Sequence, residues 1–288
     1  MMNKIFASLL MMLSLISCDK DDDNIVIPES SSPTVKLNAT YEVTITEDII
    51  YAEGLSHDSW NSSNTNEVPL LMDSYVPDND VQNRPLLMLI HGGAFVGGSK
   101  QQVALVDIAN YYASRGFVVF SIDYRLRDHM GTIPQEWIDA ISGDAPANLN
   151  QIYAIYPAHR DAKAALRWII ANADNYHINT DYITVGGGSA GAITSIGLGA
   201  SELGDYKDEI SLSEDNTLST TNLSQTYEVQ TILDFWGSNA SIEILESIYG
   251  YQRFDSNDPA LFIAHGTEDP TVPFSSAEDL KTICETNE

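Results

Sequence analysis

Cysteine is almost absent from these 288 residues, which hold only Cys18 and Cys284. A disulfide-stapled fold is therefore excluded, and stability has to come from a buried core. Positive charge is scarce too: 14 Lys and Arg stand against 41 Asp and Glu, a net charge of −27. Such a surface repels nucleic acid and anionic lipid head groups and favours solubility. A nucleic-acid role is excluded, and neutral substrates are easier to accommodate than polyanionic ones. Long apolar runs are missing as well. The one apolar stretch near the start, Ile5 to Ile16, is shorter than the roughly 20 residues a bilayer span needs. No internal repeat is visible. What is present is ordinary for a globular protein: 43% apolar residues and a length suited to one large α/β domain.

Lys4 followed by the Ile5–Ile16 stretch has the form of a signal peptide. Leu15-Ile16-Ser17-Cys18 resembles the lipobox of bacterial lipoproteins. That resemblance implies cleavage before Cys18, lipidation of its thiol and anchorage to a bacterial membrane. A plain secretory signal with an incidental cysteine is the competing reading. With Cys18 lipidated, Cys284 has no partner for an intrachain disulfide. The run from Cys18 to Asp23 also resembles the signal that sends some Gram-negative outer-membrane lipoproteins to the cell surface, although a charge run also serves as a plain solvated tether. The expected division is a signal peptide over 1–17, an acidic, serine-rich tether over 18–38 and one domain over 39–288.

Within that domain, Tyr41 to Thr46 alternates as a strand does, and a second strand surrounds Leu70 to Val76. Leu86–Ile90 and Phe117–Ile122 are continuous apolar runs suited to strands buried on both faces. Between them Leu105, Ile108, Ala109 and Tyr112 recur at helical spacing, with Gly116 as a stop. Pro157 opens a helix whose apolar face is Ala162, Ala165, Leu166, Ile169 and Ala173, and further strands are expected at Val229–Phe235 and Ala260–Ala264. Antiparallel strands followed by βαβ units predict a mostly parallel sheet with helices on both faces. Two excursions interrupt it. Leu126–Tyr156 reads as a cap over a site or a surface loop, and Ser201–Glu228, rich in Ser, Thr, Asp and Glu, reads as a solvated insertion.

The chemistry concentrates at strand ends. Tyr182–Val185 runs into Gly186-Gly187-Gly188-Ser189-Ala190-Gly191, a Gly-x-Ser-x-Gly turn (Gly187, Ser189, Gly191) leading into a helix. A serine there must hold strained angles among small neighbours, and its hydroxyl projects clear of the sheet near a helix N-terminus. A glycine-rich turn that merely carries a serine is the bland alternative. Leu86–Ile90 ends in His91-Gly92-Gly93-Ala94-Phe95. In open parallel sheets ligands gather beyond the carboxyl ends of strands, so this loop should reach the edge where Ser189 stands. Peptide N–H groups of Gly93, Ala94 and Ala190 are candidate donors to the oxyanion of a tetrahedral intermediate, each worth about 3 kcal/mol; a tight glycine turn is the rival. His91 reads as a brace for that loop. Asp269, in His265-Gly266-Thr267-Glu268-Asp269-Pro270, stands at a strand end, placed either to orient an imidazole or to cap an Asp-Pro turn. Asp123, Arg125 and Asp161 read as structural ties. Phe95, Trp137 and Trp236 either line a pocket or pack the core.

His91–Phe95, Asp123-Tyr124-Arg125-Leu126, Gly187–Gly191 and His265–Asp269 occur in this order, and over residues 40–288 the chain resembles the α/β-hydrolase superfamily. Within it, the chain is most similar to carboxylesterases and lipases of the hormone-sensitive-lipase kind. The resemblance implies an α/β-hydrolase fold without cofactor or metal. It makes Ser189 the nucleophile, Asp269 the triad acid and Gly93, Ala94 and Ala190 the oxyanion donors. Ala94 replaces the third glycine of the usual His-Gly-Gly-Gly, which leaves the backbone donor in place. The triad order is Ser, Asp, His, yet no histidine follows Asp269. The chain therefore reads as an incomplete copy, lacking the last strand and helix. A substitute base, His265 or His129, and a pseudoenzyme are the competing readings. The implied substrate is a neutral ester, small or carried on polysaccharide, with acetyl or feruloyl groups of plant polysaccharide suggested by family and location. A prolyl-oligopeptidase-type peptidase and a non-catalytic surface binding protein are the rival functions. Oligomeric state is not legible.

Overall fold

The computed structural model describes residues 32–141 and 148–287. The segments expected to be a signal peptide and most of a tether, with Cys18 between them, lie outside the described residues. Seven strands form one sheet: β1 (Val43–His57), β2 (Thr65–Pro77), β3 (Arg84–Ile90), β4 (Val118–Ile122), β5 (Ile178–Gly188), β6 (Thr231–Phe235) and β7 (Ala260–Ala264). Their order is β1-β2-β4-β3-β5-β6-β7. β1 with β2 and β2 with β4 run antiparallel; every pairing from β4 to β7 is parallel. This is the mostly parallel sheet read from the sequence. β7, at the edge, is the last strand among the described residues.

The helices are α1 (Val103–Ala113), α2 (Gln135–Ile141), α3 (Leu149–Tyr153), α4 (Ile155–Ala171), α5 (Ala173–Tyr176), α6 (Ala190–Ala200), α7 (Ala240–Tyr249) and α8 (Ser275–Asn287). They cover both faces of the sheet. Every residue of β3 is buried, and its alternate side chains enter separate cores. Leu87 and Leu89 meet Leu105, Ala109 and Ala113 of α1. Leu86, Met88 and Ile90 join the larger core with α4 and α6. A strand apolar on both sides has no solvent face, which is why it carries no alternation. Among the described residues no helix is long and apolar enough to cross a membrane.

Three segments differ from expectation. β1 continues past Thr46 to His57 because a bulge between Thr46 and Ile49, with Asp48 at φ 58°, shifts its register and breaks the alternation. The described part of the 126–156 excursion holds α2 and α3 and sends Ile133, Trp137 and Tyr153 into the core, where Trp137 meets Tyr156 edge-on at 5.3 Å. Its side chains point several ways, so no single period was visible. Ser201–Glu228 is not simply solvated. Tyr206, Ile210, Asp215 and Leu218 are buried, and its polar groups serve cations of α4. Arg160 pairs with Asp215 at 2.9 Å, Lys163 donates to the carbonyls of Glu202 and Asp205, and Arg167 donates to that of Thr221. Buried cations need such acceptors, so a composition that resembles a solvated loop is here a set of internal partners.

Candidate active site

β5 ends at Gly188 and α6 begins at Ala190, leaving Ser189 alone on the corner at φ 54°, ψ −122°. That conformation costs a non-glycine residue about 1–3 kcal/mol and persists only where the surroundings enforce it. Here the Ser189 N–H donates to the Phe235 carbonyl (2.9 Å) and its carbonyl accepts from Ile193 N–H (3.0 Å). The corner is also crowded by β3. A Cβ on Gly187 would fall 2.2 Å from the Ile90 carbonyl oxygen, and one on Gly191 would fall 2.0 Å from the same atom. Ser189 is half-buried, and its Oγ makes no hydrogen bond among the described residues.

The His91–Gly98 loop lies against this corner. A Cβ on Gly92 would stand 3.5 Å from Ser189 Cβ and 2.6 Å from the Gly188 carbonyl oxygen, so the two loops share one rim of the sheet. Gly93, Ala94 and Phe95 follow one another at φ 126°, 57° and 58°. Positive φ values in succession turn the chain sharply away from the β3 direction. Gly93 and Ala94 are exposed, and among the described residues their N–H groups donate to nothing. Ala190 N–H belongs to the first turn of α6, where helix donors lack intrahelical partners.

His91 lies beneath the loop. Its Nδ1 is 2.8 Å from the Gly92 carbonyl oxygen, and its ring stacks on Tyr124 at 4.2 Å. Burial lowers its pKa, so the ring is a neutral donor through Nδ1. Tyr124 OH in turn donates to the His91 carbonyl (2.9 Å). Arg125 and Asp161 form a buried bidentate pair (Nη2–Oδ1 2.6 Å, Nε–Oδ2 2.9 Å), and Asp123 Oδ1 accepts from Lys100 N–H at 2.7 Å. These acids and bases tie loops together.

Asp269 follows β7, with β6 between it and the strand of Ser189, and no hydrogen bond joins the two residues. Its Oδ1 accepts from the N–H groups of Thr271 (2.7 Å) and Val272 (3.0 Å), which hold its pKa below the usual carboxylate value. Asp269 is thus a turn cap whose Oδ2 lies 4.0 Å from His265 Nε2. That His265 nitrogen is engaged by the Val272 carbonyl at 2.9 Å, and the His265 side chain is wholly buried. His129 Nδ1 accepts from Leu126 N–H. All six histidines lie in the described residues, and none bonds to Ser189 Oγ.

Of the three aromatics weighed for a pocket, Phe95 and Trp137 are buried core residues. Trp236 is 46% exposed, holds φ 48°, and sets its indole against Gly188, where a Cβ would meet Cζ2 at 2.9 Å. Asp234, buried at the end of β6, escaped the sequence reading. Its Oδ1 accepts from Gly237 N–H at 2.6 Å, and burial raises its pKa. Among the described residues no group of His, Cys, Asp and Glu has the arrangement of a metal site.

Comparison with known proteins accords with this geometry. The chain is 34% identical to Gut esterase 1 of Caenorhabditis briggsae over 46% of its own length and 21% of that protein. It is 28% identical to Carboxylesterase 1C of Rattus norvegicus (69% of this chain, 35% of that one) and 25% identical to Esterase LipC of Mycobacterium tuberculosis (70% and 49%). The chain thus spans between a fifth and a half of the length of these relatives. In structure it is similar to Thermogutta terrifontis esterase 2 phosphonylated by cyclosarin, with a TM-score of 0.56 at 20% identity over 86% of this chain and 78% of that one, a likeness of fold. The BD-FAE family model matches residues 72–140 and 149–248, more than half of the chain, and takes in both the His91–Gly98 loop and the Ser189 corner while stopping short of Asp269. With the fold, the strained serine and the matched segments in agreement, the chain belongs to the BD-FAE family.

Proposed function

We propose that this protein is a serine carboxylic-ester hydrolase. The observation that carries the reading is the strained Ser189, held on the same rim as the exposed, unengaged N–H groups of Gly93 and Ala94. Ser189 Oγ attacks the ester carbonyl carbon while a histidine takes the hydroxyl proton. The carbonyl oxygen becomes an oxyanion facing the Gly93, Ala94 and Ala190 donors. Collapse of the intermediate expels the alcohol, which leaves with that proton, and water then releases the acid from the acyl-enzyme by the same route. Asp269, kept ionised by its two N–H donors, orients the imidazole. The histidine itself is proposed to lie outside these 288 residues.

In protein that includes that histidine, Ser189→Ala should lower turnover of p-nitrophenyl acetate by about 10⁶-fold, as in comparable triads. Retained hydrolysis by the variant would overturn the assignment. The 288 residues alone should hydrolyse feebly or not at all, and robust turnover from them would show that one of the six histidines serves as base. Those six, all engaged elsewhere or unbonded to Ser189, favour one second reading, a non-catalytic binding protein. Covalent labelling of Ser189 by a fluorophosphonate in the full-length protein would exclude it. If Cys18 anchors the protein outside the cell, acylated plant polysaccharide is the proposed substrate, tested by acid release from acetylated xylan.

A further inference from the structure

The two loop donors sit on trans peptide units, so Gly93 N–H points opposite to the Gly92 carbonyl and Ala94 N–H opposite to the Gly93 carbonyl. Whatever holds those carbonyls therefore aims the donors. The Gly93 carbonyl is held by the loop's own backbone, through Val96 N–H (2.9 Å) and Gly97 N–H (3.1 Å). The Gly92 carbonyl has no backbone partner among the described residues. Two side chains hold it instead: His91 Nδ1 at 2.8 Å, and Gln102 Nε2 at 3.2 Å. One hydrogen bond is a pivot about which a peptide can swing; two from different directions fix its plane.

Gln102 lies beyond the loop, at the N-cap position of α1, where a side chain usually accepts a bond from the helix. It makes no such capping bond. Its backbone is fixed at both ends, with N–H donating to the Ser99 carbonyl (3.0 Å) and its carbonyl accepting from Leu105 (2.9 Å) and Val106 (3.0 Å). The amide is turned back toward the loop. Gly98 leaves it room: at φ 109°, a Cβ there would fall 2.3 Å from Gly92 O, 2.4 Å from His91 Nδ1 and 2.9 Å from Gln102 Nε2.

We propose that Gln102 is a positioning residue for the oxyanion site. By donating to the Gly92 carbonyl, its amide fixes the Gly92–Gly93 peptide and so the direction of Gly93 N–H, and it polarises that unit so that the N–H donates more strongly. The inference rests on the ester-hydrolase reading, because it assigns that N–H a task in the reaction.

The test uses the full-length protein with p-nitrophenyl acetate as substrate and an aryl trifluoromethyl ketone as inhibitor, whose hemiketal oxyanion occupies the same donors. Gln102→Leu removes the amide; Gln102→Glu keeps its shape and turns a donor toward the carbonyl into an acceptor. Loss of a whole oxyanion donor lowers turnover by about 10²–10³-fold, so a misaimed one should lower kcat by about tenfold in Gln102→Leu and further in Gln102→Glu, with KM within about twofold. Inhibitor affinity should fall by the same factor as kcat/KM. A shift in thermal midpoint with kcat and inhibitor affinity both unmoved would make Gln102 a purely structural residue and overturn the proposal. Failure of the underlying reading looks different: Ser189→Ala would then hydrolyse as fast as the parent.

Discussion

Ser189 can occupy its corner because the residues around it have given up their side chains. The tightest approach is at Gly191, where any Cβ falls 2.0 Å from the Ile90 carbonyl oxygen and 2.8 Å from that of His91. Both obstacles are backbone at the end of a wholly buried strand, so neither can rotate away. Gly191→Ala should therefore push α6 off β3, destabilising the protein by about 1–3 kcal/mol as overpacking does. The same displacement moves Ala190 N–H, so labelling of Ser189 by a fluorophosphonate should slow more than stability alone accounts for. Urea unfolding and labelling rates, measured on the same preparation, check both halves.

At the scale of elements, α4 and the 201–228 insertion depend on one another. Arg160 and Asp215 are both buried, and Asp215 also accepts from Thr217 N–H (3.0 Å) and Thr132 Oγ1 (3.2 Å). Burial by itself would raise the Asp215 pKa; Arg160 and Thr217 outweigh it and hold the group ionised. Removing one partner strands the other charge in the core, which typically costs about 3–5 kcal/mol. Asp215→Ala should lose stability on that scale, and the double variant Asp215→Ala, Arg160→Met should recover most of it. Chemical denaturation of the single and double variants measures the difference, and an additive result would mean the pair is not coupled.

At the scale of the whole molecule, His159 makes stability depend on pH. Its ring is fully buried between α4 and α6, beside the Ile155 (2.8 Å) and Ile193 (3.3 Å) carbonyls, and burial lowers its pKa to about 4. Unfolded, the same ring takes up a proton near pH 6.5. Between pH 6.5 and about 4 the unfolded chain binds more protons, so stability is intact above that window and falls as pH drops through it, by about 3 kcal/mol in all. Asp258, raised to about 6 by partial burial, acts in the opposite sense over part of the range, its contribution being lost as pH rises. Comparing His159→Asn with the parent isolates the histidine. The variant's urea midpoint should be flatter between pH 7 and 4.5, and equal slopes would show that the ring is protonated in the folded state as well.

Much of this was legible before folding, for identifiable reasons. β3 and β4 announced themselves because a strand buried on both sides must be apolar throughout, and the Ser189 corner because its backbone angles admit only small neighbours. Asp269 was legible as a group but not as a choice: in the structure it caps its turn through Oδ1 and keeps Oδ2 beside His265. Trp236 was ambiguous, since only its backbone conformation turns an apolar ring outward over Gly188.

The sequence by itself determined the order of the seven strands, the strained serine and the glycine-bearing loop, because periodicity and backbone permissiveness are local properties written in consecutive residues. Only the tertiary structure decided that Asp215 and the backbone carbonyls of the insertion serve the cations of α4, that Trp137 packs inside while Trp236 faces out, and that Gln102 reaches back to the Gly92 carbonyl. Those contacts join residues whose proximity depends on how the elements pack, and no pattern along the chain encodes which distant groups will meet.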